Sequence, residues 1–119
     1  MEIIKELQKQ DAAYSNEHYR MLKPVKAGKY FLSIQGSSFN YCTPRQALPV
    51  NMYLTMEIAI LNRNGSMVSI NRSKVIRKFK KYDELIMRAD GLNSGAAVYT
   101  FVPIDLINDL YLFLKESKI

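Results

Sequence analysis

Arg45 sits between Pro44 and Gln46 in a sixteen-residue connection, Gly36–Asn51, that also holds Pro49. A guanidinium on a stiffened loop can offer two parallel donors to one phosphate or carboxylate. Ser37 and Ser38, next to Gly36, add hydroxyls and backbone N–H groups of the kind that cradle anions. Tyr41 and Phe39 bring rings able to contact a base or ribose. Connections this long are uncommon in compact domains and are often functional. The alternative is an ordinary surface loop, or a strand extension through Phe39–Cys42, with Arg45 in a plain ion pair. A second cluster is denser: Arg72, Lys74, Arg77, Lys78, Lys80 and Lys81 put six positive charges within ten residues. On one helix Lys74, Arg77, Lys78 and Lys81 fall opposite the apolar stripe, a face suited to neutralising phosphates or simply to being solvated.

Catalytic chemistry has thinner support. His18 is the sole histidine and lies in a polar segment, and Cys42 is the sole cysteine with no base placed near it by sequence. A small buried thiol accounts for Cys42 better than a nucleophile does. One histidine and one cysteine exclude a His-rich or multi-Cys zinc site. The carboxylates are scattered, and neither the P-loop nor the dinucleotide glycine spacing occurs. The sequence therefore points away from an enzyme and calls for neither cofactor nor metal. An enzyme using Cys42 or carboxylates ranks last among the readings.

The elements that must carry these residues follow from periodicity. Met1 to Leu22 reads as a helix, or two short ones, stopped at Lys23-Pro24. Lys29–Gln35 alternates as a strand, with Tyr30, Leu32 and Ile34 on one face. Met52–Leu61 reads as a second strand with Met52, Leu54, Met56, Ile58 and Ile60 facing one way. Asn62-Arg63-Asn64-Gly65 then predicts a tight hairpin into a strand at Ser66–Ile70, both Asn64 and Gly65 tolerating positive φ. Ser73 caps a predicted helix to Arg88, with Gly91 at its exit. Ala97–Val102 is a short strand, and Pro103 and Asp105 open a last helix. The expectation is one α+β domain over residues 1–119: an antiparallel sheet of about four strands with N-terminal, middle and C-terminal helices packed on it.

Composition narrows the partners. Seventeen Lys and Arg against eleven Asp and Glu leave a net charge of +6, which attracts anions at long range. No apolar run is long enough to span a bilayer, the N-terminus lacks the pattern of a signal peptide, and a lone cysteine suits a reducing compartment. The expected setting is the cytosol, without a membrane partner. In the last helix, Ile104, Leu106, Ile107, Leu110, Tyr111, Phe113 and Leu114 cover more than one face, which predicts burial by a second copy of the chain in a homo-oligomer.

Three stretches carry a resemblance: Tyr41-Cys42-Thr43-Pro44-Arg45, the strand Tyr53–Ile60, and Val102-Pro103-Ile104-Asp105-Leu106. Over the strand–loop–strand core and the last helix the chain resembles small phage and prophage accessory proteins. Among these it is similar to the anti-Thoeris sponges, compact oligomers that sequester cyclic nucleotide signals without degrading them. The resemblance implies counter-defence in the host cytosol, and no ligand contact is carried over residue by residue. Together the residues and the resemblance predict a non-enzymatic binding protein for an anionic, nucleotide-type ligand. The predicted contacts are Arg45, Tyr41, Phe39, Ser37, Ser38, Arg72, Lys74, Arg77 and Lys78. The alternative is a basic nucleic-acid-binding protein or a protein-binding inhibitor.

Overall fold

The computed structural model describes residues 1–10 and 20–117. Of the predicted Met1–Leu22 helix, residues 11–19, with Tyr14 and His18, lie outside the described residues, and Arg20, Met21 and Leu22 are not helical. Five strands form one antiparallel sheet: β1 (Val25–Ala27), β2 (Tyr30–Gln35), β3 (Thr55–Leu61), β4 (Ala89–Asp90) and β5 (Val98–Pro103). Their spatial order is β1-β2-β3-β5-β4. Helices α1 (Glu2–Gln8), α2 (Tyr82–Ile86) and α3 (Ile104–Glu116) complete an α+β fold.

Alternation builds the core. Leu32 and Ile34 on β2, Met56, Ile58 and Ile60 on β3, and Tyr99 and Val102 on β5 are all buried. α3 closes over this face against β1 and β5, and α1 packs beside it. Asn108 of α3 accepts the Ile3 backbone N–H at 3.0 Å, satisfying one of the donors that a helix start leaves unpaired. Residues of the broad apolar stripe on α3 find cover inside the chain. Leu106, Ile107, Leu110, Tyr111 and Leu114 are buried, and Phe113 lies 5.3 Å from the Phe79 ring. The stripe therefore does not itself require a second copy.

Four expectations are corrected. β1 and β4 are additional short strands, so the sheet has five members. The strand predicted from Met52 begins at Thr55; a 3-10 turn occupies Val50–Met52, and Met52 and Leu54 are exposed. Beyond the Asn62–Gly65 turn only Met67 bridges back to Leu61. Gly65 (φ 81°) supplies the positive φ of that turn and Asn64 does not. The chain then leaves the sheet because Ser69 Oγ accepts the Ala97 N–H and the Tyr99 hydroxyl accepts the Ile70 N–H. Finally, the predicted Ser73–Arg88 helix is broken into a 3-10 turn, Ile76–Lys78, and the short α2, which ends well before Gly91. A continuous helix would stack Lys74 on Lys78 and Arg77 on Lys81, like charges one turn apart. Instead Phe79 turns extended (ψ 129°) and drops its ring onto Phe113.

Two features set the ends of the sheet. The turn between β1 and β2 is two residues long, and Gly28 takes φ 65° with its backbone pressed against the C-terminal turn of α3. A Cβ there would stand 2.2 Å from the Leu114 carbonyl oxygen, so only glycine fits. Across β3 and β5 the register slips: Met56 opposes Val102 and Ile58 opposes Tyr99, leaving Thr100 and Phe101 against Glu57 alone. This β-bulge puts Phe101 at φ 50°, the one non-glycine residue at positive φ among the described residues.

Candidate functional site

Strand direction sorts the predicted site residues into two groups. β2 ends and β3 begins at one end of the sheet, where the Gly36–Asn51 connection lies; the β1–β2 and Asn62–Gly65 turns lie at the other. The basic segment from Arg72 follows the second turn. Ser37, Ser38, Phe39, Tyr41 and Arg45 are thus separated from Arg72, Lys74, Arg77 and Lys78 by the length of the strands, roughly 20 Å for six residues.

At the loop end most polar groups are spent on the loop itself. Ser37 is buried; its hydroxyl donates to Asn40 Oδ1 at 2.6 Å and accepts the Phe39 N–H. Glu57 anchors the loop, one carboxylate oxygen accepting from Asn40 Nδ2 and the other from the Tyr41 N–H, both at 3.2 Å. The Tyr53 hydroxyl donates to the Gln46 carbonyl and accepts the Leu48 N–H, tying down the far half. Cys42 is buried, and burial pushes its thiol above the ordinary value, outweighing the opposing effects of its contact with the Ser37 backbone and of the Arg45 charge. That is the wrong direction for a nucleophile. Three predicted contacts do reach the surface. Phe39 and Tyr41 are exposed, and Arg45 lies 5.0 Å over the Tyr41 ring while Nε donates to the Asn40 carbonyl. Tyr41 in turn sits 5.8 Å from Phe101, whose carbonyl accepts from Arg88. The end is aromatic and largely self-satisfied.

The basic segment is not one face. Arg77 donates to the Asn71 carbonyl, Arg72 donates to the Asn93 carbonyl, and Lys81 pairs with Asp109 at 2.6 Å, which holds its ammonium above the usual value. Lys74 and Lys78 point to solvent as exposed side chains. Of the four predicted cations here, Arg72 lines a cleft.

That cleft and its neighbour form a second candidate site, one that periodicity does not single out. A depression of about 470 Å³ is walled by Lys29, Arg63 and Arg72, with Tyr30, Ser73 and two asparagines between them. Its Tyr30 and Ser73 hydroxyls are 3.4 Å apart. Beside it lies a second, of about 480 Å³, lined by Lys26, Gly28, Lys29, Phe31 and Arg63. Among the described residues no carboxylate lines either one, and none pairs with Lys26, Lys29, Arg63 or Arg72. Four cations gathered with no carboxylate among the described lining residues repel one another, and an anion between them relieves that repulsion. One signal could have found them. Lys29 and Arg63 occupy the turns of two hairpins that share the β2–β3 pair, and such turns must lie at the same end of a sheet.

Comparison with known protein families, with curated proteins and with solved structures finds no match to this chain. Among the described residues no helix is long and apolar enough to cross a membrane, and no group of histidine, cysteine and carboxylate side chains could hold a metal ion.

Proposed function

We propose that the protein binds a phosphate-bearing anion of the nucleotide type, without chemical turnover, in the cationic clefts at the turn end of the sheet. The observation that carries this reading is the convergence of Lys26, Lys29, Arg63 and Arg72 on two adjoining depressions with no carboxylate among the described lining residues. Charge-assisted hydrogen bonds from such groups are about twice as strong as neutral ones. Binding rather than catalysis is supported by what faces the clefts: cations, amides, and two hydroxyls turned toward each other. The predicted anion contact at Arg45 is thereby moved to the opposite end of the sheet. Sequestration of a signalling nucleotide for a phage rests on the resemblance of the loop, strand and helix segments alone.

Thermal melts test the reading. A ligand present at about 100 times its Kd adds roughly 2.7 kcal/mol to stability. Inorganic polyphosphate, ribonucleotides and a mixed-sequence oligonucleotide are each added near physiological salt. At least one should raise Tm for the native chain and lose most of that effect in the Arg63→Gln/Arg72→Gln double variant. No shift with any of them, or the same shift in the variant, overturns the assignment.

A further inference from the structure

The two clefts continue into a third. A depression of about 400 Å³ is lined by Lys23, Phe31, Leu61 and Arg63, along with Pro24 and the Asn62–Gly65 turn. Arg63 borders all three and Phe31 borders two, so together they form one tract around the ends of β1, β2 and β3. Each part alone falls within the size range of a small-molecule site. Sites for single small ligands are concave and bury most of the ligand's surface, whereas these three open side by side onto the surface. The cations follow the same layout: Lys23 at one extremity, Lys26, Lys29 and Arg63 in the middle, Arg72 at the other. Spread over three adjoining depressions, five cations make a longer row than one phosphate group fills.

Phe31 gives the tract its second property. It lies on the sheet face opposite Leu32 and Ile34, half-exposed, with Lys26 opposite it on β1 and Leu61 opposite it on β3. An aromatic ring framed by an aliphatic side chain and a cation is a stacking surface for an unpaired base, and base–aromatic stacking tolerates any sequence. Paired bases in a duplex offer no such face along their length.

We infer that this tract binds single-stranded nucleic acid, with the phosphates met in series by Lys23, Lys26, Lys29, Arg63 and Arg72 and a base stacked on Phe31. The inference rests on the proposed anion site and extends it from one nucleotide to a polymer. Phosphate contacts and stacking on one ring tolerate any sequence. Affinity comes from cations and stacking, and so depends on salt.

Fluorescence anisotropy with a labelled oligothymidylate of about twelve nucleotides, within the range that comparable grooves cover, measures it. ATP and a duplex of matching length serve as the other arms. Binding should weaken with salt at a log–log slope of about −0.7 per phosphate contacted. Arg63→Gln should cost at least tenfold in affinity and flatten the slope by about 0.7, one contact's worth. Phe31→Leu should cost about fivefold or more with the slope unchanged, and Phe31→Tyr, which keeps a ring, should bind like the native chain. Thermal melts of each variant identify any that fails to fold, and the tyrosine variant still tests the role of the ring if the leucine one does. If ATP binds as tightly as the oligonucleotide, the polymer inference falls while the anion site stands. Duplex bound as tightly as single strand, with no loss in Phe31→Leu, also overturns it. If neither ATP nor oligonucleotide depends on Arg63, both proposals fall together.

Discussion

The two ends of the sheet treat polar groups in opposite ways. At the loop end Glu57, Asn40, Ser37 and Tyr53 satisfy one another and the backbone, and the surface left over is aromatic. At the turn end Lys26, Lys29, Arg63 and Arg72 stand together with no carboxylate among them in the described structure. A long connection rich in polar residues suggests a site, yet here its hydrogen-bonding capacity is consumed in holding its own shape. Two short turns look purely structural, yet the cations they gather meet no carboxylate among the described lining residues. Uncompensated charge, rather than loop length, marks the better candidate.

That contrast can be broken at the loop end. Glu57→Gln should have the largest effect. The amide keeps one acceptor but turns a donor toward either the Tyr41 N–H or the Asn40 amide. Losing a charge-assisted bond and opposing two donors should destabilise the fold by about 2 kcal/mol, read by urea unfolding. Oligonucleotide affinity should stay within about twofold, since ~1.4 kcal/mol corresponds to a factor of ten and no tract contact is touched. A parallel fall in affinity would mean that the two ends act as one.

Phe101→Gly should have a smaller effect of the opposite sign. A non-glycine residue in left-handed backbone costs about 1–2 kcal/mol, and the ring lost in exchange is partly exposed. Stability should rise by up to ~1 kcal/mol in the same unfolding assay. A loss instead would show that the Tyr41–Phe101 contact outweighs the strain.

Arg45→Ala should matter least. Its contact with Tyr41 is an exposed cation–π pair, a contribution of about 0.5–1 kcal/mol to stability. Anisotropy should register less than a twofold change in oligonucleotide binding. A loss of about tenfold, the size expected of a charged contact to phosphate, would return the anion site to the loop.

Much of this architecture was legible in the residues, for identifiable reasons. β2, the body of β3 and α3 have long, regular apolar periods, and their inward residues are buried as the periodicity requires. The Ser73–Arg88 segment misleads because its apolar spacing is helical while its cations repel at that same spacing; the spacing is visible and the repulsion has to be weighed. Ser73 does accept an N–H, that of Ile76 at 3.2 Å, but it starts one 3-10 turn only. β1 and β4 are too short for alternation to register. The loop's Arg45 and Tyr41 reach the surface as expected, whereas Ser37 is turned inward by Asn40, a partner three residues away that periodicity does not reveal. Lys26, Lys29, Arg63 and Arg72 are scattered over more than forty positions, and only strand pairing brings them together.

Gly28 gives that assembly an evolutionary asymmetry. Its backbone stands at φ 65° against the Leu114 carbonyl, so no side chain can be introduced without displacing α3. The neighbouring lysines carry no such restriction, being surface groups whose exchange leaves the packing intact. A comprehensive substitution library should therefore find a fixed glycine amid permissive cationic positions. If the proposed anion binding holds, descendants of this chain could retune its strength and length by swapping side chains around one unchanging bend. Specificity can drift there while the architecture stays put.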